Sequence, residues 1–176
     1  MWFSLFWLSL SSRKNLDLTK SAMKGLLFER GNNLTRVPDG AKLDCQTARS
    51  SNIILEFKDS GSEQLYTVVM CDDSLKPAKL YYLAVNITGI SALNLSDYNS
   101  NVLLPYSPSK LPTTGLHCYS VKIFKQDQYL PTIVVDYHLS SNASIDTIAG
   151  LTPVNKFTFY ATARVGDLDA VSKLQQ

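Results

Sequence analysis

The sequence has little charge of either sign. Its 176 residues include 17 Lys and Arg and 15 Asp and Glu, a formal net charge of +2, and charged residues make up only 18% of the chain. Nucleic-acid-binding domains concentrate basic residues, and disordered chains combine high charge with low hydrophobicity. Because 45% of the residues are hydrophobic, the chain is predicted to form one globular domain over residues 15–176 that does not bind nucleic acid.

Cysteine and histidine are scarce. The chain has three cysteines, Cys45, Cys71 and Cys118, and two histidines, His117 and His138. Three cysteines form at most one disulfide and leave a free thiol, and their spacing does not match a zinc site. We therefore predict neither a metal site nor a cofactor.

The sequence lacks an apolar run of the roughly 20 residues that a membrane-spanning helix needs. The apolar segment Met1 to Leu10 is followed by Ser11 and Ser12, and it has the length of the apolar region of a signal peptide. The cationic residues that usually precede such a region are missing. Residues 1–12 are therefore interpreted as a signal peptide or as an apolar tail that packs on the domain. Secretion is the favoured prediction, and a cytoplasmic location is the alternative.

Four tripeptides fit the acceptor pattern for N-glycosylation. They begin at Asn33, Asn86, Asn94 and Asn142. Such tripeptides also arise by chance in a chain rich in Asn, Ser and Thr. We treat all four as candidate glycosylation sites that depend on secretion.

The spacing of apolar residues predicts few helices and many strands. A short amphipathic helix is predicted within residues 15–30, because its apolar residues recur at helical spacing and Gly31 follows at a position typical of a helix end. A second helix is predicted over Gly166 to Gln176. Runs rich in β-formers predict strands at Ile53–Phe57, Leu65–Met70, Leu80–Ile87, Leu116–Lys125, Tyr129–Tyr137 and Lys156–Ala163. Together they predict a mainly-β sandwich.

Three separated stretches carry a more specific signal. The first is a strand that runs into the acidic turn Asp72-Asp73-Ser74, the second is the aromatic strand Tyr81–Gly89, and the third is the strand start Gly115-Leu116-His117-Cys118-Tyr119. In their order and spacing they resemble the phosphatidylethanolamine-binding protein family, also called the Raf kinase inhibitor protein family. The resemblance extends over most of residues 15–174, although only these three stretches are specific.

The resemblance implies a β-sandwich with a few short flanking helices and a shallow anion pocket where the three stretches meet. In this family the pocket accepts a phosphate or a phosphorylated headgroup, and members act mainly by binding kinases, proteases or other partners. Carried over to matching positions, the pocket residues are Asp72, Tyr81, Pro112, His117 and Tyr119. His117 and Tyr119 are two residues apart on a predicted strand, so they point to one face while Cys118 points to the other.

The match to the family pattern is incomplete. Asp73 stands at the position of a proline, Tyr81 at that of a pocket histidine and Cys118 at that of an arginine. Charge-assisted hydrogen bonds contribute about 1.5–3 kcal/mol each. The loss of an imidazole and a guanidinium therefore predicts weak or altered anion binding.

Two functions follow from the resemblance. The first is a non-enzymatic binding protein that uses a modified anion or phospholipid-headgroup pocket and modulates a kinase or protease. The alternative is an interaction or inhibitor protein that has kept the fold and lost the ligand. A hydrolase with Cys118 as nucleophile and His117 as base is disfavoured, because adjacent strand residues point to opposite faces.

Overall fold

The computed structural model describes residues 23–57, 63–88, 92–97, 101–112, 114–131 and 149–162. Residues 1–12, Asn142 and the segment Gly166–Gln176 lie outside these ranges, so the predictions made for them stay predictions. The described strands are β1 (Met23–Arg30), β2 (Asn33–Val37), β3 (Ala41–Asp44), β4 (Asn52–Phe57), β5 (Leu65–Asp72), β6 (Lys79–Ile87), β7 (Ala92–Asn94), β8 (Val102–Leu104), β9 (Leu116–Gln126) and β10 (Leu151–Thr162). The helix α1 (Cys45–Arg49) and a 3₁₀ turn at Pro108–Lys110 complete this part of the chain.

The strands form two sheets. One is four-stranded in the order β2-β1-β4-β7, and the other is six-stranded in the order β3-β10-β9-β5-β6-β8. Neighbouring strands are antiparallel except β3 and β10, which are parallel. Leu26 and Ile53 of the first sheet share one buried cluster with Met70, Val121 and Phe159 of the second. This face-to-face packing confirms the predicted mainly-β sandwich.

The predicted helix within residues 15–30 is wrong over the described residues 23–30, which form β1. Leu26 and Phe28 alternate into the main core, but Leu27 on the other face is also buried. A strand buried on both faces gives a run of apolar residues that periodicity does not distinguish from a helix. Gly31 has a φ of 58° and begins the tight turn into β2. A glycine in this conformation ends helices and also builds hairpin turns, so its presence did not separate the two structures.

Four predicted strands are confirmed as β4, β5, β6 and β9, and the prediction at Lys156–Ala163 corresponds to the longer β10. The predicted strand Tyr129–Tyr137 is wrong at its start, because residues 129–131 are irregular, and its remainder lies outside the described residues. The sequence patterns did not predict the short strands β7 and β8 or the helix α1. None of the described helices is long and apolar enough to cross a membrane.

The three motif stretches lie on adjacent strands at the centre of the six-stranded sheet. Strand β5 pairs with β6 on one side and with β9 on the other. At its end, Asp72 lies opposite Lys79 of β6 and Tyr119 of β9. The pairing therefore brings the end of β5 together with the beginnings of β6 and β9.

Candidate functional site

Four of the five predicted pocket residues form one cluster at this point of the sheet. The Oδ2 atom of Asp72 lies 2.6 Å from Nδ1 of His117. The rings of His117 and Tyr119 stack with centroids 6.0 Å apart, and Tyr81 meets Tyr119 edge to face at 5.7 Å. The convergence that the three sequence stretches predicted is therefore present, while the ligand-binding role of these residues stays a prediction.

Asp72 anchors the cluster. Its side chain is completely buried, with 0% exposure. Oδ1 accepts hydrogen bonds from the backbone N–H of Ser74, at 3.0 Å, and from the Ser74 hydroxyl, while Oδ2 binds His117. A buried carboxylate is costly unless it is paired and hydrogen-bonded. Asp72 meets this requirement, and in doing so it fixes both the following turn and the imidazole.

Both ring nitrogens of His117 have an acceptor as partner. Nδ1 faces the Asp72 carboxylate, and Nε2 lies 2.9 Å from the carbonyl oxygen of Thr114. Each ring nitrogen therefore already faces an acceptor at hydrogen-bonding distance. Neither ring nitrogen is left without a partner within the protein.

Tyr81 turns into the core because of a β-bulge. Met70 pairs with Tyr82 and Cys71 pairs with Leu80, which leaves Tyr81 as an extra residue in β6. Tyr81 and Tyr82 are consequently both buried, and within the described part of the chain neither hydroxyl has a hydrogen-bond partner. Tyr81 therefore packs into the core beside the site, where the family resemblance implied a ligand donor.

Pro112 lies on the loop that borders the cluster. The preceding residue, Leu111, is buried, and its carbonyl accepts a hydrogen bond from the guanidinium of Arg49 in α1. Thr114, two residues after Pro112, supplies the carbonyl that His117 contacts. Pro112 itself is half-buried. The loop thus forms one side of the site, and contact between Pro112 and a ligand stays a prediction.

Asp73 is a charged residue of this region whose role the sequence reasoning missed, because it was noted only as a replacement for proline. Its carboxylate lies 3.0 Å from Nζ of Lys156 and 3.8 Å from Nζ of Lys122. Burial raises the pKa of Asp73, but hydrogen bonds from Lys156 and Ser120, together with the charge of Lys122, outweigh burial and lower it. The alternation of side chains along a strand was the signal in the sequence that could have indicated this role, because it predicts that residues 72 and 73 project to opposite faces of the sheet.

Cys118 does not stand in for the arginine of the family pattern. Burial raises the pKa of its thiol, and the negative charge of Asp73 raises it further. A neutral thiol is a poor nucleophile and offers no cation to an anion.

Within the described ranges, no three His, Cys, Asp or Glu side chains are placed to hold a metal ion.

The candidate glycosylation sites differ in exposure. Asn33 is exposed at the start of β2, whereas Asn86 is buried. The Nδ2 group of Asn86 donates to the carbonyl of Leu130, at 3.1 Å, and its Oδ1 accepts from Gln126. Because a glycan attaches through Nδ2, this packing disfavours glycosylation at Asn86. Asn94 is half-buried, and its Oδ1 accepts from the backbone of Ser96.

No protein-family model and no curated protein sequence matches this chain. Among solved structures, carboxypeptidase Y inhibitor in complex with its cognate proteinase is similar with a TM-score of 0.51 and 17% identity, over 82% of this chain and 85% of that chain. A phosphatidylethanolamine-binding protein from Plasmodium falciparum is similar with a TM-score of 0.48 and 17% identity, over 81% of this chain and 87% of that chain. The chain shares its fold with carboxypeptidase Y inhibitor, and this is the phosphatidylethanolamine-binding protein fold that the sequence motifs predicted.

Proposed function

We propose that this chain is a non-enzymatic binding protein that inhibits or modulates a protein partner, and that its own side chains close the anion pocket. The observation that carries the proposal is the double engagement of His117 by Asp72 and Thr114. A phosphate is held by free donors or by cations. The imidazole can bind a phosphate only by giving up one of its internal bonds.

The charge around the site supports the same proposal. Asp72 places a buried negative charge against the ring, and the thiol of Cys118 replaces a guanidinium without replacing its charge. An incoming phosphate would therefore meet a carboxylate at the position of closest approach to His117. Of the two functions that the sequence left open, these features favour the interaction or inhibitor protein.

A surface turn next to the cluster is the contact surface that we propose for the partner. We call residues 74–78 the site turn; all of them are exposed, and Leu75 has 38% exposure. The turn begins at Ser74, which is bonded to the buried Asp72. A loop that is held in place before binding loses less conformational entropy when it binds. The site turn thus exposes the apolar side chain of Leu75 next to Lys76, and the bond between Ser74 and Asp72 holds the start of the turn in place.

A proteinase is the first partner class to test, because the similar fold of carboxypeptidase Y inhibitor was observed in complex with its cognate proteinase. The chain should be assayed against carboxypeptidase Y, a panel of endoproteinases and a panel of protein kinases. We expect inhibition of at least one proteinase. Binding confined to kinases would change the partner class, and no inhibition of any proteinase would contradict the proteinase proposal.

The site turn can be tested with matched variants of two exposed leucines. Leu75 lies in the site turn and Leu34 lies in β2 of the other sheet, with 55% exposure. We expect Leu75→Asp to weaken partner binding about tenfold or more, since burying an unpaired charge in an interface is unfavourable. Leu34→Asp should leave binding unchanged. An equal effect of both variants would contradict a contact through the site turn.

Weak anion binding is the second candidate function, and it is supported by the buried hydroxyl of Tyr81, which has no hydrogen-bond partner among the described residues. Titration with inorganic phosphate and with phosphoethanolamine, followed by the NMR resonances of the His117 ring, separates the two candidates. No shift at millimolar ligand is the expected result for the closed pocket. A saturable shift that Tyr81→Phe abolishes would establish the anion pocket instead.

A further inference from the structure

The site turn carries a lysine at its middle, between an apolar residue and a proline. All residues of the turn are exposed, so Leu75, Lys76 and Pro77 follow one another at the surface. The next lysine along the chain, Lys79, has its ammonium group over the ring of Tyr81, 5.1 Å from the ring centroid. Lys76 is therefore the lysine that a partner meets at the centre of the turn.

Both ends of the site turn are attached to the buried cluster. At its start, the backbone N–H of Ser74 donates to Oδ1 of Asp72 at 3.0 Å. Just after its end, Lys79 pairs with Asp72 in the register of β5 and β6, and the Lys79 ammonium group covers the buried ring of Tyr81. A turn that is held at both ends loses less conformational entropy when its central side chain enters a partner's pocket.

A long cationic side chain on an exposed turn fits one kind of proteinase pocket. The primary-specificity pocket of a proteinase holds the side chain that precedes the bond to be cut, and in trypsin this pocket contains an aspartate. A lysine ammonium group is a compact cation with three hydrogen-bond donors, which such an aspartate accepts. Lys76 thus has the charge that an acidic pocket selects. A proteinase with an apolar pocket would instead take Leu75.

Pro77 separates an inhibitor from a substrate. A trypsin-like proteinase cuts after the residue in its primary-specificity pocket, and it gives a proton to the leaving nitrogen as that bond breaks. In the bond after Lys76 this nitrogen belongs to Pro77, whose ring replaces the N–H and crowds the nitrogen. We therefore expect the bond after Lys76 to resist hydrolysis while Lys76 is bound.

We propose that Lys76 enters the acidic primary-specificity pocket of a proteinase and that Pro77 protects the bond after Lys76 from cleavage. This inference rests on the proposed inhibitor function and specifies its partner class, a proteinase that cuts after lysine or arginine. The contact is non-covalent. It uses the exposed side chains of the site turn and leaves the bonds between Asp72, Ser74 and His117 in place.

The test uses trypsin whose nucleophilic serine is replaced by alanine, because this form binds the full chain without cutting it. Calorimetry should show saturable binding that is abolished by benzamidine, a small cation that fills the primary-specificity pocket. Lys76→Met should weaken binding about thirtyfold or more, because it leaves the aspartate of the pocket buried without a cation. Lys76→Arg keeps the charge and should retain most of the binding. Lys125→Met is the matched control, because Lys125 is an exposed lysine near the other end of β9 from His117, and it should bind trypsin like the wild type.

Active trypsin tests the role of Pro77. Mass spectrometry should detect no cleavage after Lys76 in the wild type, whereas Pro77→Ala should be cut there, with water as the second reactant of the hydrolysis. The absence of binding to inactive trypsin, binding that persists in benzamidine, equal losses in Lys76→Met and Lys125→Met, or no cleavage of Pro77→Ala would each overturn the inference. Inhibition of another proteinase that Leu75→Asp abolishes and Lys76→Met leaves unchanged would also overturn it, while the proposed function would stand.

Discussion

Two adjacent carboxylates, those of Asp72 and Asp73, lie on opposite faces of the same sheet. The Asp72 side chain has 0% exposure, and its two oxygens bind Ser74 and His117. The Asp73 side chain has 26% exposure and contacts both Lys122 and Lys156. The inner carboxylate and its partners satisfy one another completely. The Asp73 carboxylate is only partly buried and is paired with side chains that are themselves partly exposed.

This difference shows that the number of polar residues in a cluster does not by itself indicate ligand binding. The cluster around Asp72 has the residue types of an anion pocket, yet both ring nitrogens of His117 have partners within the protein. No motif indicated the ion pairs on the other face of the sheet, where the Asp73 carboxylate contacts Lys122 and Lys156. What matters is the hydrogen-bonding capacity and charge that remain after internal partners are assigned.

The largest expected effect comes from removing the Asp72 carboxylate. Asp72→Ala should lower the free energy of unfolding by about 3–5 kcal/mol, because it leaves His117 and the turn without their buried partner. Asp72→Asn keeps an acceptor for Ser74 and should cost less, about 1–2 kcal/mol. Urea denaturation measures both. Similar small losses in the two variants would show that the buried pair does not hold the site together.

A smaller effect of opposite sign is expected from Tyr81→Phe. A buried hydroxyl without a partner costs free energy in the folded state, so its removal should raise the free energy of unfolding by about 1 kcal/mol. Tyr82→Phe should behave alike, because the Tyr82 hydroxyl also lacks a partner among the described residues. Thermal and urea unfolding provide the measurement. Destabilisation by Tyr81→Phe alone would reveal a bound molecule or water on that hydroxyl.

The Asp73 carboxylate should contribute less to stability than the Asp72 carboxylate. Asp73→Asn is expected to cost about 0.5–1 kcal/mol near neutral pH, as for other partly exposed ion pairs. Because the folded-state pKa of Asp73 is lowered from its ordinary value of 3.8, the carboxylate stabilises the fold above about pH 4 and loses this contribution as the pH falls through the folded-state pKa. The difference in the free energy of unfolding between the wild type and Asp73→Asn should therefore become smaller as the pH falls. A gap that is constant between pH 6 and pH 3 would contradict this ion pairing.

The smallest effect concerns the reactivity of Cys118. Burial and the nearby charge of Asp73 raise the pKa of its thiol, so alkylation by iodoacetamide at neutral pH should be slow and should accelerate as the pH rises. Asp73→Asn removes the second cause and should speed alkylation about twofold to threefold at pH 8, as followed by mass spectrometry of the Cys118 peptide. Fast alkylation of the wild type at pH 7 would contradict a neutral thiol.

Local patterns predicted most of the larger strands, because runs of β-branched and aromatic residues persist through β5, β6 and β9. They failed at β1, whose burial on both faces produced a helix-like pattern, and at short strands such as β7, whose three residues carry too little periodicity. They also missed α1, although Asp44 caps it by accepting a hydrogen bond from the Thr47 N–H at 2.7 Å.

Composition and the three motifs determined that the chain forms a β-sandwich and which residues gather at the ends of the central strands of its larger sheet. The tertiary structure alone decided how that cluster is used, because Asp72 meets His117 across 45 residues of sequence and the bulge at Tyr81 depends on the pairing of two strands. It also placed Lys122 and Lys156 opposite each other on β9 and β10, where both contact Asp73. The local sequence decides which side chains are available, but the register of the strands decides which of them meet and therefore which donors find a partner within the protein.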